Sequence, residues 1–135
     1  MTAEKQTAKT SLRTFEDLEC WKQCRTLRVF VAKRVIPALP KNEQYRLGDQ
    51  LLRAGRSTTA NIAEGYGRFH YLDNAKFCSN PRGSCWEVLD HFITAGDEGL
   101  LPQDLIDEGR AYVDSAVKLL NGYMNYLKRA SSADQ

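Results

Sequence analysis

The sequence predicts an all-α protein, an antiparallel up-down-up-down four-helix bundle. In four separate stretches, apolar residues recur at intervals of three and four, the spacing of an amphipathic helix. Short connections that contain proline or glycine separate these stretches, and such connections place successive helices antiparallel. No alternating apolar and polar run indicates a strand.

The length of 135 residues fits one domain with a core of its own. Residues 1–14 are polar and predict a flexible tail, residues 15–129 the bundle, and residues 130–135 a polar tail. No apolar run approaches the ~18 residues of a membrane span, and the N-terminus lacks the apolar region of a secretory signal. We therefore expect a cytoplasmic protein without a membrane partner.

Helix one is predicted from Phe15 to Ile36, with Thr14 as its N-cap. Pro37 should end it, because proline is not tolerated inside a helix. The residues expected to face the core are Cys20, Cys24, Leu27, Val31 and Val35.

Helix two is predicted from about Asn42 to Tyr66. We expect Gly65 and Gly67 to stop it, because glycine adopts the left-handed cap conformation at little cost. The residues expected to face the core are Leu47, Leu51, Ala54, Thr58 and Ile62.

Helix three is predicted from Tyr71 to about Thr94, kinked near Pro81, since proline has no N–H for the carbonyl of Phe77. The alternative is a break, with a new helix that starts at Asn80 as N-cap. The residues expected to face the core are Leu72, Ala75, Cys78, Cys85, Leu89 and Phe92.

Helix four is predicted from about Pro102, which suits a first helical turn, to about Arg129. A turn at residues 96–99 precedes it. The residues expected to face the core are Leu105, Gly109, Tyr112, Ala116, Leu120, Tyr123 and Leu127.

The net charge of +2 is unevenly distributed. Residues 1–70 hold 13 Lys and Arg against 7 Asp and Glu, whereas residues 71–135 hold 6 against 10. Solvated surface charge explains this. It also permits head-to-tail contacts between copies, or a basic face for an anionic partner.

The cysteine pattern favours buried, reduced thiols. Cys20 and Cys24 are one helical turn apart, Cys78 and Cys85 two turns apart, and no C-x-x-C pair provides the spacing of a zinc site. We expect neither a metal nor another cofactor. The acid–base candidate, Glu87 with His91, is interpreted as a pair on the helix surface.

Asn61, Glu64 and Arg68 are the polar residues of most interest. The first interpretation is a buried polar network that fixes the helix register. The alternative is a contact to a ligand or to another subunit, which would suit a small-ligand binder or an enzyme.

A basic and aromatic surface is predicted around helix two. Basic residues beside exposed aromatic residues bind single-stranded nucleic acid, but Tyr and Arg are also enriched at protein interfaces. Both interpretations stay open for Arg53, Arg56, Arg68, Tyr66, Phe69 and Tyr71.

Four pieces of sequence carry a family resemblance. They are F-x-D-L-x-x-W at residues 15–21, L-x-R-A at 51–54 with A-N-I-A-E-G-x-G-R at 60–68, R-G-S-x-x-E at 82–87, and the turn at 95–100 that ends in Gly-Leu. Together they resemble the four-helix-bundle family encoded in intervening sequences of bacterial 23S ribosomal RNA genes. That family is related to the accessory variability protein of diversity-generating retroelements.

The resemblance implies a bundle that assembles as a ring, commonly a homopentamer, without enzymatic activity. In the retroelement branch it implies RNA and a reverse transcriptase as partners. The leading hypothesis is therefore a non-enzymatic, ring-forming protein, with an association with RNA or a reverse transcriptase as an open option. The alternatives are an enzyme or ligand binder with a site around Asn61, Glu64 and Arg68, and a purely structural oligomer.

Overall fold

A computed structural model describes residues 13–68 and 70–133, and within these ranges it contains helices and turns but no strand. The all-α class is thus confirmed for this part of the chain. A 3-10 turn covers Phe15–Asp17, and a π-helical turn covers Val31–Val35. The α-helices are α1 (Glu19–Phe30), α2 (Ile36–Ala38), α3 (Leu47–Tyr66), α4 (Tyr71–Phe77), α5 (Ser79–Asp97) and α6 (Gln103–Ala133).

The first helix begins later than predicted. Thr14 does act as a cap, because its hydroxyl accepts a hydrogen bond of 3.1 Å from the Glu16 N–H, but it caps the 3-10 turn. Leu18 then adopts an extended conformation that places its side chain in the core, and α1 begins at Glu19.

Pro37 was predicted to end this helix, but it lies in the first turn of α2 instead. The π-helical turn just before it pairs the Ile36 N–H with the carbonyl of Val31. Proline is tolerated in a first helical turn because its missing N–H needs no partner there. The chain becomes extended at Leu39, and turns occupy residues 41–46 before α3 starts at Leu47 rather than near Asn42.

Gly67 does not adopt the left-handed cap conformation that was predicted for the end of α3. Gly67 has φ −75°, in the right-handed region, and its N–H bonds to the carbonyl of Ala63 at 3.2 Å. Within the described ranges, positive φ occurs at Gly99, with φ 68°, in the turn that precedes α6. Glycine is favoured there because other residues adopt this conformation only with strain.

The third helical segment is interrupted at Cys78, between α4 and α5. Helix α5 starts at Ser79, so Pro81 lies in its first turn, where the absent N–H is tolerated. The N-cap position belongs to Cys78, not to Asn80. Helix α5 continues to Asp97, three residues past the predicted end.

One hydrophobic core joins the helices. The inward residues predicted for helices one and two are all buried. Leu72 is the exception in helix three, because its side chain is 45% exposed. In α6 the prediction missed four buried residues, Ile106, Val113, Val117 and Met124. Two residues predicted to face inward there, Leu105 and Tyr112, are only half-buried.

Helices α1 and α5 face each other across this core. The Sγ atoms of Cys24 and Cys85 are 4.0 Å apart, and the rings of Phe30 and Phe92 pack edge to face at 6.2 Å. Both helices also pack against α3 and against α6. The outer faces of α1 and α5 therefore point in opposite directions.

Helix α6 continues through residues 130–133, which the sequence had placed in a polar tail. The Ser132 hydroxyl donates a hydrogen bond of 3.2 Å to the carbonyl of Lys128. The remaining predicted tail residues, 1–12 and 134–135, lie outside the described ranges. None of the helices described has the length and apolar composition needed to cross a bilayer.

Candidate functional site

The Asn61 side chain belongs to a hydrogen-bond chain between α3 and α5. Its amide donates to the backbone carbonyl of Ser57 at 2.8 Å and to the Ser57 hydroxyl at 2.9 Å. The Ser84 hydroxyl, on α5, donates to the Ser57 hydroxyl at 3.0 Å. Asn61 itself bonds within α3, and the hydrogen bond between Ser57 and Ser84 links that helix to α5.

Glu64 and Arg68 do not join that chain. Their side chains are exposed and form an ion pair of 3.4 Å one helical turn apart. The Arg68 guanidinium also lies over the ring of Phe77, 4.3 Å from its centroid, and so connects the end of α3 to α4. The three predicted residues are therefore not one buried network, and Arg68 acts as a cation–π contact between helices.

Gly65 allows α4 to approach α3 closely. A Cβ atom at this position would lie 2.7 Å from the Asn74 Oδ1 and 3.0 Å from the Phe77 Cβ. The amide of Asn74 in turn donates a hydrogen bond of 2.8 Å to the hydroxyl of Tyr123 on α6. The motif residues at the end of α3 thus support packing between helices, and Asn74 is a polar core residue that the sequence analysis missed.

The basic surface predicted on α3 is present in part. Arg53 and Arg56 are exposed on its outer side, and they form no ion pair with any residue that the structure describes. Tyr66 is half-buried and packs edge to face on Phe15. Tyr71 is exposed and packs on Tyr126. Phe69 lies outside the described residues.

Glu87 and His91 form the predicted i,i+4 pair, with 3.3 Å between His91 Nε2 and Glu87 Oε2. The pair differs from a surface pair in one respect, because the His91 side chain is largely buried while Glu87 is exposed. His91 lines a polar groove of about 300 Å³ between the start of α3 and α5, together with Glu43, Arg46 and Asp90.

The four cysteines are free and buried. Burial raises the pKa of the Cys20 thiol well above its usual value, and raises the pKa of Cys78 to about 12. Within the described ranges, no group of three or more His, Cys, Asp or Glu residues has the geometry to hold a metal ion. The thiols therefore serve as core side chains.

A second groove, of about 310 Å³, lies on the outer side of α1 and was not anticipated from the sequence. Its apolar lining consists of Val29, the half-buried Tyr112 and the buried Phe30, and Arg25 and Lys33 also line it. Near one end, Arg34 pairs with Glu108, which also accepts a hydrogen bond of 2.9 Å from the Tyr112 hydroxyl. These two hydrogen bonds lower the pKa of Glu108, so the carboxylate stays ionised beside the groove.

The signal for this groove was present in the sequence. Val29 lies on the side of α1 opposite the core residues Cys24 and Leu27, amid basic residues. Helical periodicity does not indicate a binding surface from one apolar residue on an outer face, because protein surfaces contain many such residues.

The comparisons with known proteins give one positive result. The profile of the 23S rRNA-intervening sequence protein family matches residues 16–122, most of the chain. No curated protein matches the chain significantly. The matched range includes α1 to α5 and more than half of α6. The chain therefore belongs to the 23S rRNA-intervening sequence protein family.

Proposed function

We propose that this chain is a non-enzymatic interaction protein that assembles with copies of itself into a ring. The observation that carries the proposal is a line of exposed apolar side chains on the third helical segment. Leu72, Trp86 and Ile93 are 45%, 47% and 41% exposed. Trp86 and Ile93 are seven residues apart on α5, so they lie on one side of that helix. Leu72 adds an exposed apolar side chain on α4.

Such a line favours a protein interface. Large apolar side chains that are exposed along one face mark binding sites more often than single exposed residues do. Tryptophan is also enriched among the residues that dominate binding energy. The line is unpartnered within the described part of the protomer, so a second molecule is needed to cover it.

The ring form of the assembly is supported by the distribution of charge. The first half of the chain is basic and the second half acidic, which favours contact between unlike surfaces. Contacts between unlike surfaces are heterologous, and they close into a ring when the rotation permits. Five copies is the number that the family resemblance suggests. Within this proposal the four helical segments run up-down-up-down, and the third bends near Pro81.

Static light scattering after size-exclusion chromatography tests self-association, over a range of protein and salt concentrations. The proposal expects a mass several times the 15.3 kDa of one chain. A monomer mass throughout the micromolar range would refute it. Salt should weaken the contact only in part, because screening affects charges and not apolar burial.

RNA is the second candidate partner, and a specific observation favours it. Arg53 and Arg56 project from the outer side of α3 without an ion pair in the described part of the chain. A ring would repeat this pair once per subunit, and repeated weak sites gain avidity. Binding should be mildly sequence-selective and should weaken steeply with salt, because phosphate contacts release counterions. A reverse transcriptase would be a further partner if the chain belongs to the retroelement branch.

A fluorescence anisotropy titration with structured and single-stranded RNA at ~50 mM salt tests this candidate, since electrostatic binding is strong there. Arg56→Glu should weaken binding more than Lys128→Glu, a charge reversal of the same kind on α6. The oligomer mass of each variant is measured in parallel. If an intact oligomer binds no RNA, protein–protein scaffolding remains as the function.

The proposed location is the cytoplasm. The support is the state of the cysteines, which are free and buried in the described structure. Reduced cysteines are typical of proteins in reducing compartments. Fluorescence microscopy of a tagged chain tests the location.

A further inference from the structure

We propose that the outer face of α5 of one copy docks into the groove on α1 of a second copy. The docking face consists of Gly83, Trp86, Asp90 and Ile93. The α1 groove is lined by Arg25, Val29, Phe30, Lys33 and Tyr112. The inference rests on the proposed self-assembly and names the two surfaces that carry it.

The two surfaces have shapes that suit each other. Trp86 and Ile93 project from α5 with nearly half of their side chains exposed, two helical turns apart. Gly83 lies three residues before Trp86, near the start of α5, and a Cβ atom there would meet nothing within 4 Å, so another backbone has room to approach. The α1 groove is open and about 310 Å³ in volume, with Val29 and two aromatic residues on its surface. An indole is a large, flat apolar group that such a groove can cover.

The two surfaces also carry opposite charges. Arg25 and Lys33 flank the groove, and neither forms an ion pair with any residue described here. On the other face, Asp90 lies between Trp86 and Ile93, and Glu87 is exposed beside it. Opposite charges at the rim of an interface select the partner and set its orientation. An Arg or Lys beside an indole gains a cation–π contact as well.

The two surfaces belong to different helices of the fold. The inner sides of α1 and α5 meet in the core at Cys24 and Cys85. On α5, Trp86 and Ile93 lie about a quarter turn from the inward-facing Cys85, and the α1 groove lies on the outer side of α1. The two surfaces are therefore apart on one molecule, and no protomer can bring them into contact by itself. Contact between them is head to tail, so each copy offers one surface to each of two neighbours, as a ring requires.

Two charge-introducing variants test this arrangement. Val29→Glu places a negative charge in the groove, against the acidic docking face. Trp86→Lys removes the indole and places a positive charge against the basic rim. Each should raise the dissociation constant for self-association by about tenfold or more, the effect of losing a central interface residue. Tyr45→Glu is the matched control, because Tyr45 is an exposed aromatic residue outside both surfaces.

The decisive measurement is the mass of a mixture of the two variants. The Val29→Glu chain keeps an intact docking face, and the Trp86→Lys chain keeps an intact groove. Each alone should be monomeric, and an equimolar mixture should associate into at least a dimer, through the intact docking face of one variant and the intact groove of the other. Circular dichroism and melting curves confirm that both variants are folded, which the exposure of both positions leads us to expect.

Each other outcome overturns a defined claim. If wild type is monomeric, the proposed self-assembly fails and this inference fails with it. If wild type and both variants share one oligomer mass, self-assembly stands and the pairing of these surfaces is refuted. The pairing is also refuted if Val29→Glu leaves the oligomer mass unchanged but abolishes RNA binding, because the groove then binds RNA. It is refuted as well if Trp86→Lys alone dissociates, because the docking face then pairs with the same face of another copy.

Discussion

The side-chain amide of Asn74 donates a hydrogen bond of 2.8 Å to the hydroxyl of Tyr123, and both side chains are buried. The bond ties the short helix α4 to the long helix α6. Burial raises the pKa of the Tyr123 hydroxyl, so it remains protonated. The hydroxyl can therefore accept this bond while it keeps its own proton.

Removal of that hydroxyl should destabilise the fold. Tyr123→Phe leaves the Asn74 amide without this buried acceptor, which costs about 1–3 kcal/mol of unfolding free energy. Tyr112→Phe is the matched control, because the Tyr112 hydroxyl bonds to a solvent-accessible carboxylate on Glu108 and water can replace it. Urea unfolding measures both variants. Equal losses of unfolding free energy in the two variants would show that the buried Asn74–Tyr123 hydrogen bond stabilises the fold no more than the exposed Tyr112–Glu108 bond does.

Two glycines of α6 should respond in opposite ways to alanine. A Cβ atom at Gly109 would lie 2.5 Å from the ring of Phe92, so Gly109→Ala should cost about 1–3 kcal/mol through overpacking. At Gly122 a Cβ atom meets nothing within 4 Å, so Gly122→Ala should stabilise the helix by up to ~1 kcal/mol. Thermal melts of the two variants provide the comparison. A stable Gly109→Ala variant would mean that α5 and α6 are further apart than described.

The core residues Leu51 and Leu120 are completely buried. Leu51→Ala or Leu120→Ala should cost roughly 2–5 kcal/mol, because each leaves a cavity. Tyr45→Ala, at a highly exposed position, should change stability by no more than about 0.5 kcal/mol. If melting curves of both leucine variants match wild type, the inward faces of α3 and α6 are assigned incorrectly.

The thiols should be unreactive in the folded protein. Burial raises the pKa of Cys20 and Cys78, and only the thiolate attacks a disulfide reagent. At pH 8 the native chain should therefore react with Ellman's reagent at the rate of unfolding, and the unfolded chain should release one equivalent for each of its four cysteines at once. Rapid reaction of the native chain would contradict the burial of these groups.

Much of the fold could be predicted from the sequence, because periodicity reports which residues are buried. The residues predicted to face inward between Cys20 and Val35 and between Leu47 and Ile62 are all buried. The errors fall where local and tertiary effects compete. A π-helical turn precedes Pro37, so the helical conformation continues past this proline. Pro81 lies in the first turn of α5, where its missing N–H would have no partner within the helix. Leu72 follows the helical repeat but lies where α4 faces outward.

The candidate surfaces were harder to predict, because they depend on which helices are neighbours. The motif at residues 60–68 drew attention to Asn61, Glu64 and Arg68, and the structure divides them between a contact to α5 and a contact to α4. The α1 groove needs Tyr112 from α6 beside Val29 and Phe30. Spacing along one helix cannot reveal a partner more than eighty residues away.

The claim that this chain forms a closed ring is tested most directly by native mass spectrometry of the wild-type protein. The account predicts a single assembly whose mass is a whole multiple of 15.3 kDa, with five copies as the expected number. Its mass should not grow with concentration, because a closed ring has no free ends. A monomer would contradict the account, and so would a ladder of masses that lengthens with concentration.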